Sequence, residues 1–154
     1  MALNDDIAFL ARQPLLGLMD HDALRLVAFA AENRILRAGD VLFRRNDGSD
    51  GAYLVVSGAI ALMSQDDGRP ADEVVGPGGL IGELALFASI KRPVTAVARE
   101  PTQLMKLSRS VMRRVLGESP QSAQAIAAAI GERLQGFMSE LSQVRDALIA
   151  IDRS

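Results

Sequence analysis

The sequence predicts an α+β domain in which a small antiparallel sandwich or barrel sits between helical ends. Three observations predict it. Apolar residues at the N-terminal end recur at helical spacing: Leu24, Val27, Ala28 and Ala31 fall at i, i+3, i+4 and i+7. Between residues 33 and 107, short runs rich in Val, Ile and Leu alternate with Gly-rich turns about every eight to twelve residues. From Ala123 to Ile151 the apolar positions step 4-3-4-3 without a fault.

The elements follow in order. Residues 1–32 form the N-terminal helices: Ile7, Leu10 and Ala11 mark a short one stopped by Pro14, and Asp20 caps the next. His21, the single histidine, stands between Asp20 and Asp22 as an exposed first-turn residue without a ligand role. The predicted strands are Ile35–Arg37, Val41–Arg45, Ala52–Ser57, Ala59–Ser64, Glu73–Val75, Leu80–Ile81, Val94–Arg99 and Gln103–Leu107. Turns such as Ala38-Gly39-Asp40, Asp66-Asp67-Gly68 and Gly76-Pro77-Gly78-Gly79 separate them, the pattern of a sandwich or barrel. Residues 108–151 return to helix. Ser108 caps a first helix that Gly117 ends, and Ser119-Pro120 starts a second. Its apolar stripe runs Ala123, Ala127, Ile130, Leu134, Phe137, Leu141, Val144, Leu148, Ile151. About 30 helical residues span roughly 45 Å, more than a core of this size covers, so residues 120–151 are expected to pair in a homodimer.

Composition removes several function classes. The 154 residues include no Cys, which excludes disulfides, thiolate metal sites and cysteine nucleophiles. A net charge of −2 gives no footprint for nucleic acid or an anionic membrane surface. No apolar run approaches the roughly 18 residues of a spanning helix, and Met1–Asp6 lacks a charged leader, so the expected setting is the cytoplasm. One histidine cannot build the metal site of a cupin-like barrel enzyme. No enzyme activity, cofactor or metal is expected.

The chemistry concentrates in Leu80-Ile81-Gly82-Glu83-Leu84-Ala85-Leu86-Phe87, followed by Lys91-Arg92-Pro93-Val94-Thr95. A glycine before a short helical turn lets backbone approach a ligand, and free N–H groups there attract an anion. Arg92, nine residues past Glu83, can return on the next strand to grip the same anion. Glu83 would be repelled by that anion unless it accepts hydrogen bonds, for example from a sugar hydroxyl.

This segment resembles the phosphate-binding cassette of cyclic nucleotide-binding domains, where Gly-Glu-Leu-Ala-Leu is followed by Pro-Arg-Ala-Ala-Thr or a near variant. Gly39-Asp40-Val41-Leu42-Phe43, Asp50 through Gly58, Val75 through Gly79, and Ser108 through Pro120 resemble other parts of that family. The resemblance implies a β-roll, a jelly-roll-like double-stranded β-helix, with a cassette over residues 80–95. It implies that Gly82, the N–H groups of Leu84 and Ala85, and Arg92 hold a cyclic phosphate, with Pro93, Val94 and Thr95 alongside. Glu83 would accept from the ribose 2′-hydroxyl. Val55, Ile81 and Val97 would wall the purine, and the long helix would close over it. That helix is similar to the dimer helix of catabolite-activator-type regulators, whose base-reading hydroxyls are here Phe137 and Met138.

Two departures matter. Pro93 has no N–H for the phosphate, a loss of about 1.5–3 kcal/mol. It also stands where cGMP-selective domains carry a Thr, which makes cAMP the expected ligand over cGMP. The chain has no winged helix-turn-helix after the long helix, so direct DNA binding is not expected, and a separate output protein is. The competing expectation is a dimeric scaffold or interaction module of the same fold that binds no nucleotide, with Arg92 and Glu83 paired to each other.

Overall fold

The computed structural model describes residues 3–65, 68 and 70–152. Met1, Ala2, Asp66 and Asp67, named above, lie outside the described residues. Helices α1 (Leu3–Ala11) and α2 (His21–Phe29) precede eight strands. These are β1 (Glu32–Leu36), β2 (Val41–Phe43), β3 (Gly51–Ser57), β4 (Ile60–Met63), β5 (Glu73–Val75), β6 (Leu80–Ile81), β7 (Thr95–Ala98) and β8 (Thr102–Ser108). Helices α3 (Arg109–Glu118) and α4 (Pro120–Asp152) follow. One antiparallel sheet has the order β1-β8-β3-β6 and the other β2-β7-β4-β5, which together make the α+β β-roll.

Side-chain alternation along β3 sorts its residues into two cores. Ala52 and Leu54 face the helices, packing with Ile7, Leu10, Leu24, Val27, Leu107, Met112 and Ile126. Tyr53 and Val55 face the roll interior, with Phe43, Ile60, Ile81, Ala96, Ala98 and Leu104. A strand covered on both faces explains why Gly51 through Val55 are all buried.

Most strand ends differ from the sequence reading by one to three residues; β2, for instance, ends at Phe43 and not Arg45. β1 begins at Glu32, because Glu32, Asn33 and Arg34 pair with Lys106, Met105 and Leu104. This edge strand is held by its ladder, and Ile35 is 81% exposed, so hydrophobic alternation carries no signal there. α3 runs past Gly117 to Glu118, and Ser119-Pro120 ends it, since proline has no N–H and holds the preceding residue out of the helical region. Ser119 supplies the carbonyl that accepts from Ala123 N, but its hydroxyl donates to Asp20 Oδ2 at 2.8 Å instead of capping α4. Ser108 and Asp20 cap as expected, accepting from Val111 N and Ala23 N.

α4 rests on the domain only through its first turns, where Ser122 and Ile126 are buried. Every described residue from 131 onward is exposed, a stretch of about 33 Å. Ser122 and Ile126 lie beside the Ala123–Ala127 seam; on the seam itself Ile130 packs against the helical core, and the seam residues from Leu134 onward are exposed. Among the described residues, no helix is long and apolar enough to cross a membrane.

Leu54 is fully buried between β3 and the helices. Leu54→Ala is expected to cost about 2–5 kcal/mol in urea unfolding, through lost contact and the cavity left behind.

Candidate functional site

β6 delivers the chain to Gly82, which has φ 80° and ψ 40°, the left-handed region. Glycine is required there twice over. An L side chain is strained at that φ, and a Cβ would lie 2.5 Å from Arg92 Nη1. The chain then enters a 3-10 turn, Glu83–Leu86. Ala85 N donates to Gly82 O at 3.0 Å, so this N–H, one of the two expected phosphate donors, is occupied within the turn. The N–H groups of Glu83 and Leu84, at its start, have no acceptor in the turn.

Arg92 is 3% exposed and has no carboxylate partner among the described residues. Its Nη2 donates to Gly51 O at 2.8 Å, while Nε is buried with no hydrogen-bond partner. The guanidinium carbon lies 4.3 Å from the Phe43 ring centroid and 5.7 Å from that of Tyr53. The two nearby acids are committed elsewhere: Asp50 Oδ2 accepts from Lys106 Nζ at 2.9 Å, and Asp47 Oδ2 from Arg44 N at 2.9 Å. Lys106 holds the Asp50 carboxyl below its ordinary value. Burial lowers the Arg92 pKa from its ordinary value, with Tyr53 and Asp50 partly opposing. A guanidinium stays charged even so. The site therefore holds a fixed positive charge, aromatic-backed and without an ion-paired carboxylate among the described residues.

Backbone bonds fix that charge in place. Arg92 N donates to Asp47 O and Asn46 N to Arg92 O, both at 2.8 Å, clamping the cassette's return to the turn after β2. Arg109, at the start of α3, donates through Nε to Ala85 O at 2.8 Å and through Nη2 to Ser49 O, joining cassette, turn and helix.

Glu83 turns the other way. Its Oε2 accepts from Leu15 N at 3.1 Å and Leu16 N at 3.2 Å, on the segment between α1 and α2. No ion pair joins it to Arg92 among the described residues, which removes the mutual pairing expected of a non-binding scaffold.

The other predicted site residues divide by strand face. Val94 packs against the interior cluster that contains Val55 and Ile81. Thr95 and Val97 point to the opposite face of β7 from the buried Ala96 and Ala98, so Val97 does not wall the space beside Val55. Strand period decides this, and a one-residue step changes the face. Thr95 Oγ1 accepts from Arg45 N at 2.9 Å. Pro93 is exposed. Phe137 and Met138 are 56% and 58% exposed on the projecting half of α4, where they close no site within this chain.

Sequence reasoning assigned no site role to Phe43, Tyr53, Gly51, Arg109, Leu15 or Leu16. The aromatic pair was legible as inward-facing strand residues. The contacts of Gly51, Leu15 and Leu16 are made by backbone atoms, which leave no side-chain signal.

A left-handed glycine before a 3-10 turn, beside a buried arginine and carried by a β-roll, is the arrangement that the sequence resemblance implied. The model for the cyclic nucleotide-binding domain matches residues 33–128, and the chain belongs to that family. A cyclic nucleotide-binding-like protein from Brucella abortus is similar at 43% identity and a TM-score of 0.67, over 73% of this chain and 98% of that one. The N-terminal domain of a Streptomyces coelicolor transcriptional regulator is similar at 31% identity and a TM-score of 0.74, over 86% and 94%. Among curated relatives, the cAMP-dependent protein kinase regulatory subunit of Yarrowia lipolytica is 29% identical over 132 residues, 86% of this chain. The chain spans 32% of that relative and 8% of Neurospora crassa lysophospholipase nte1, to which it is 31% identical over 120 residues.

Gly82→Ala is expected to cost about 1–2 kcal/mol from backbone strain alone. It is also expected to displace Arg92 from the Tyr53 ring. Tyr53 is the single tyrosine in a chain without tryptophan, so intrinsic emission reads that displacement directly.

Proposed function

We propose that this chain is a sensor domain that binds a cyclic nucleotide, with cAMP as the ligand. The observation that carries the reading is Arg92: a buried guanidinium with an unpartnered Nε, no ion-paired acid among the described residues, and N–H groups at Glu83 and Leu84 without an acceptor in the turn. Leaving a charge buried and unpaired is costly, and an anion on the site relieves that cost. A cyclic phosphate fits the single charge, and the left-handed Gly82 lets it approach the backbone. The Yarrowia relative's dependence on cAMP supports the choice of nucleotide. Glu83 takes the sugar, because a carboxylate next to a bound phosphate is favourable only as a hydrogen-bond acceptor.

The cassette turn touches α3 through Arg109, and α3 leads into α4. Ligand binding therefore biases the helices, and the output is a shift between helix arrangements, not a chemical reaction. The exposed seam of α4 supports a homodimer through residues 120–151, with Leu134, Phe137, Leu141, Val144, Leu148 and Ile151 48–67% exposed in the isolated chain. In that dimer Phe137 and Met138 are available to the purine of either protomer. A separate partner protein reads the change.

Calorimetric titration with cAMP tests the site. Micromolar binding is expected, weakened by about 2–5 kcal/mol in Arg92→Ala and not restored by Arg92→Lys, which lacks the planar fork. Absence of cAMP and cGMP binding at millimolar concentration would return the domain to a scaffold role. Sedimentation tests the seam independently: the wild type is expected to run as a dimer and Leu141→Glu as a monomer.

A further inference from the structure

We infer that the segment joining α1 to α2, residues 13–18, is a working part of the nucleotide site: it positions the Glu83 carboxylate for the sugar hydroxyl. The inference rests on the proposed nucleotide site and adds residues far from the cassette in sequence. Both N–H groups that hold Glu83 fall on one oxygen, Oε2, at 3.1 Å from Leu15 N and 3.2 Å from Leu16 N. Two bonds occupy the two lone-pair directions of that oxygen. Oε1 accepts no bond among the described residues and is left for a ligand donor. The carboxylate thus holds the protein with one oxygen and presents the other.

The bracing is not confined to Glu83. Gln13 Nε2 donates to Gly78 O at 3.3 Å, and a Cβ at Gly78 would stand 3.0 Å from the Phe9 ring. The N-terminal segment therefore touches the chain on both sides of β6, before it at Gly78 and after it at Glu83. Leu15 and Leu16 are themselves fully buried, so the donors are carried on backbone anchored by core packing.

The consequence is selective. A carboxylate held in one rotamer binds a hydroxyl without first losing its rotational freedom, whereas a free one must be ordered at the moment of binding. Affinity for a ligand with the hydroxyl depends on the segment, and affinity for one without it does not. Linkage requires the converse: a ligand that engages Oε1 stabilises the bonds from Leu15 and Leu16.

The probes are cAMP and 2′-deoxy-cAMP, titrated into the full chain. The wild type is expected to favour cAMP by about ten- to a hundredfold, the range of a hydrogen bond to a charged group. Replacing the Leu15 or Leu16 peptide N–H by an ester oxygen keeps both side chains and deletes one donor at a time. Either ester is expected to weaken cAMP binding and bring the ratio toward one, with 2′-deoxy-cAMP binding unchanged. An ester at Leu18, whose N–H donates to Leu15 O at 3.0 Å, controls for general loosening and is expected to keep the ratio. Equal weakening of both nucleotides, or a ratio that survives both esters, overturns the inference and leaves the nucleotide site standing. A wild-type ratio of one also overturns it. A wild type that binds neither nucleotide overturns the site and the inference together. Amide exchange in the unmodified protein reads the same point: cAMP is expected to slow exchange at Leu15 and Leu16 and 2′-deoxy-cAMP is not. Identical exchange with the two ligands overturns the inference.

Discussion

One charge organises this domain. Arg92 is buried against two aromatic rings and one carbonyl, with its Nε unsatisfied and the neighbouring acids occupied by other donors. Keeping a guanidinium in that state needs several separate features. Gly82 has to lack a side chain, the turn after β2 has to clamp the Arg92 backbone, and Lys106 has to divert Asp50. A carboxylate in contact with Arg92 would make the domain easier to stabilise. The fold leaves the guanidinium without an ion-paired acid among the described residues and bears the desolvation cost of doing so.

The two cores divide the work. The interior cluster around Tyr53, Val55 and Ile81 stiffens the roll behind Arg92. The second cluster fastens α1, α2, α3 and the first turns of α4 to the outer face of the same strand, β3. A rigid strand with a site on one side and a helical layer on the other is suited to passing a displacement across. Polar contacts between the cassette and the helical layer include Arg109 on the Ala85 carbonyl and the Leu15 and Leu16 amides on Glu83, beside the apolar packing of Leu86 and Phe87 in the same layer.

How much of this the sequence revealed depended on whether a feature had a side-chain pattern. All eight strands were visible from Val, Ile and Leu runs and their turns, and β5 and β6 were bounded to the residue. β1 was placed late because an exposed edge strand needs no alternation. Arg92 and Gly82 were legible because a positive charge and a missing Cβ are written in the residue types. The partners of Arg92 were not, since Gly51 contributes only a carbonyl and Phe43 and Tyr53 arrive from separate strands. Val97 shows the limit from the other side: an apolar residue one position away from the face that Val55 and Ile81 share. Phe137 and Met138 were placed by spacing along α4, and spacing does not say what an exposed stretch meets.

The position of β8 has a consequence for how the molecule is made. In its sheet β8 lies between β1 and β3, pairing Glu32 with Lys106 on one side and Gly51 with Ser108 on the other. During synthesis on a ribosome β1 and β3 emerge long before the strand that joins them. Until residue 108 is released, Leu54 and Val55, on opposite faces of β3, have no completed sheet to pack with. Closing such distant pairings is slow, and the incomplete chain exposes apolar strand to its neighbours. The domain therefore assembles late and nearly at once, and the nascent chain is at its most aggregation-prone just before β8 appears.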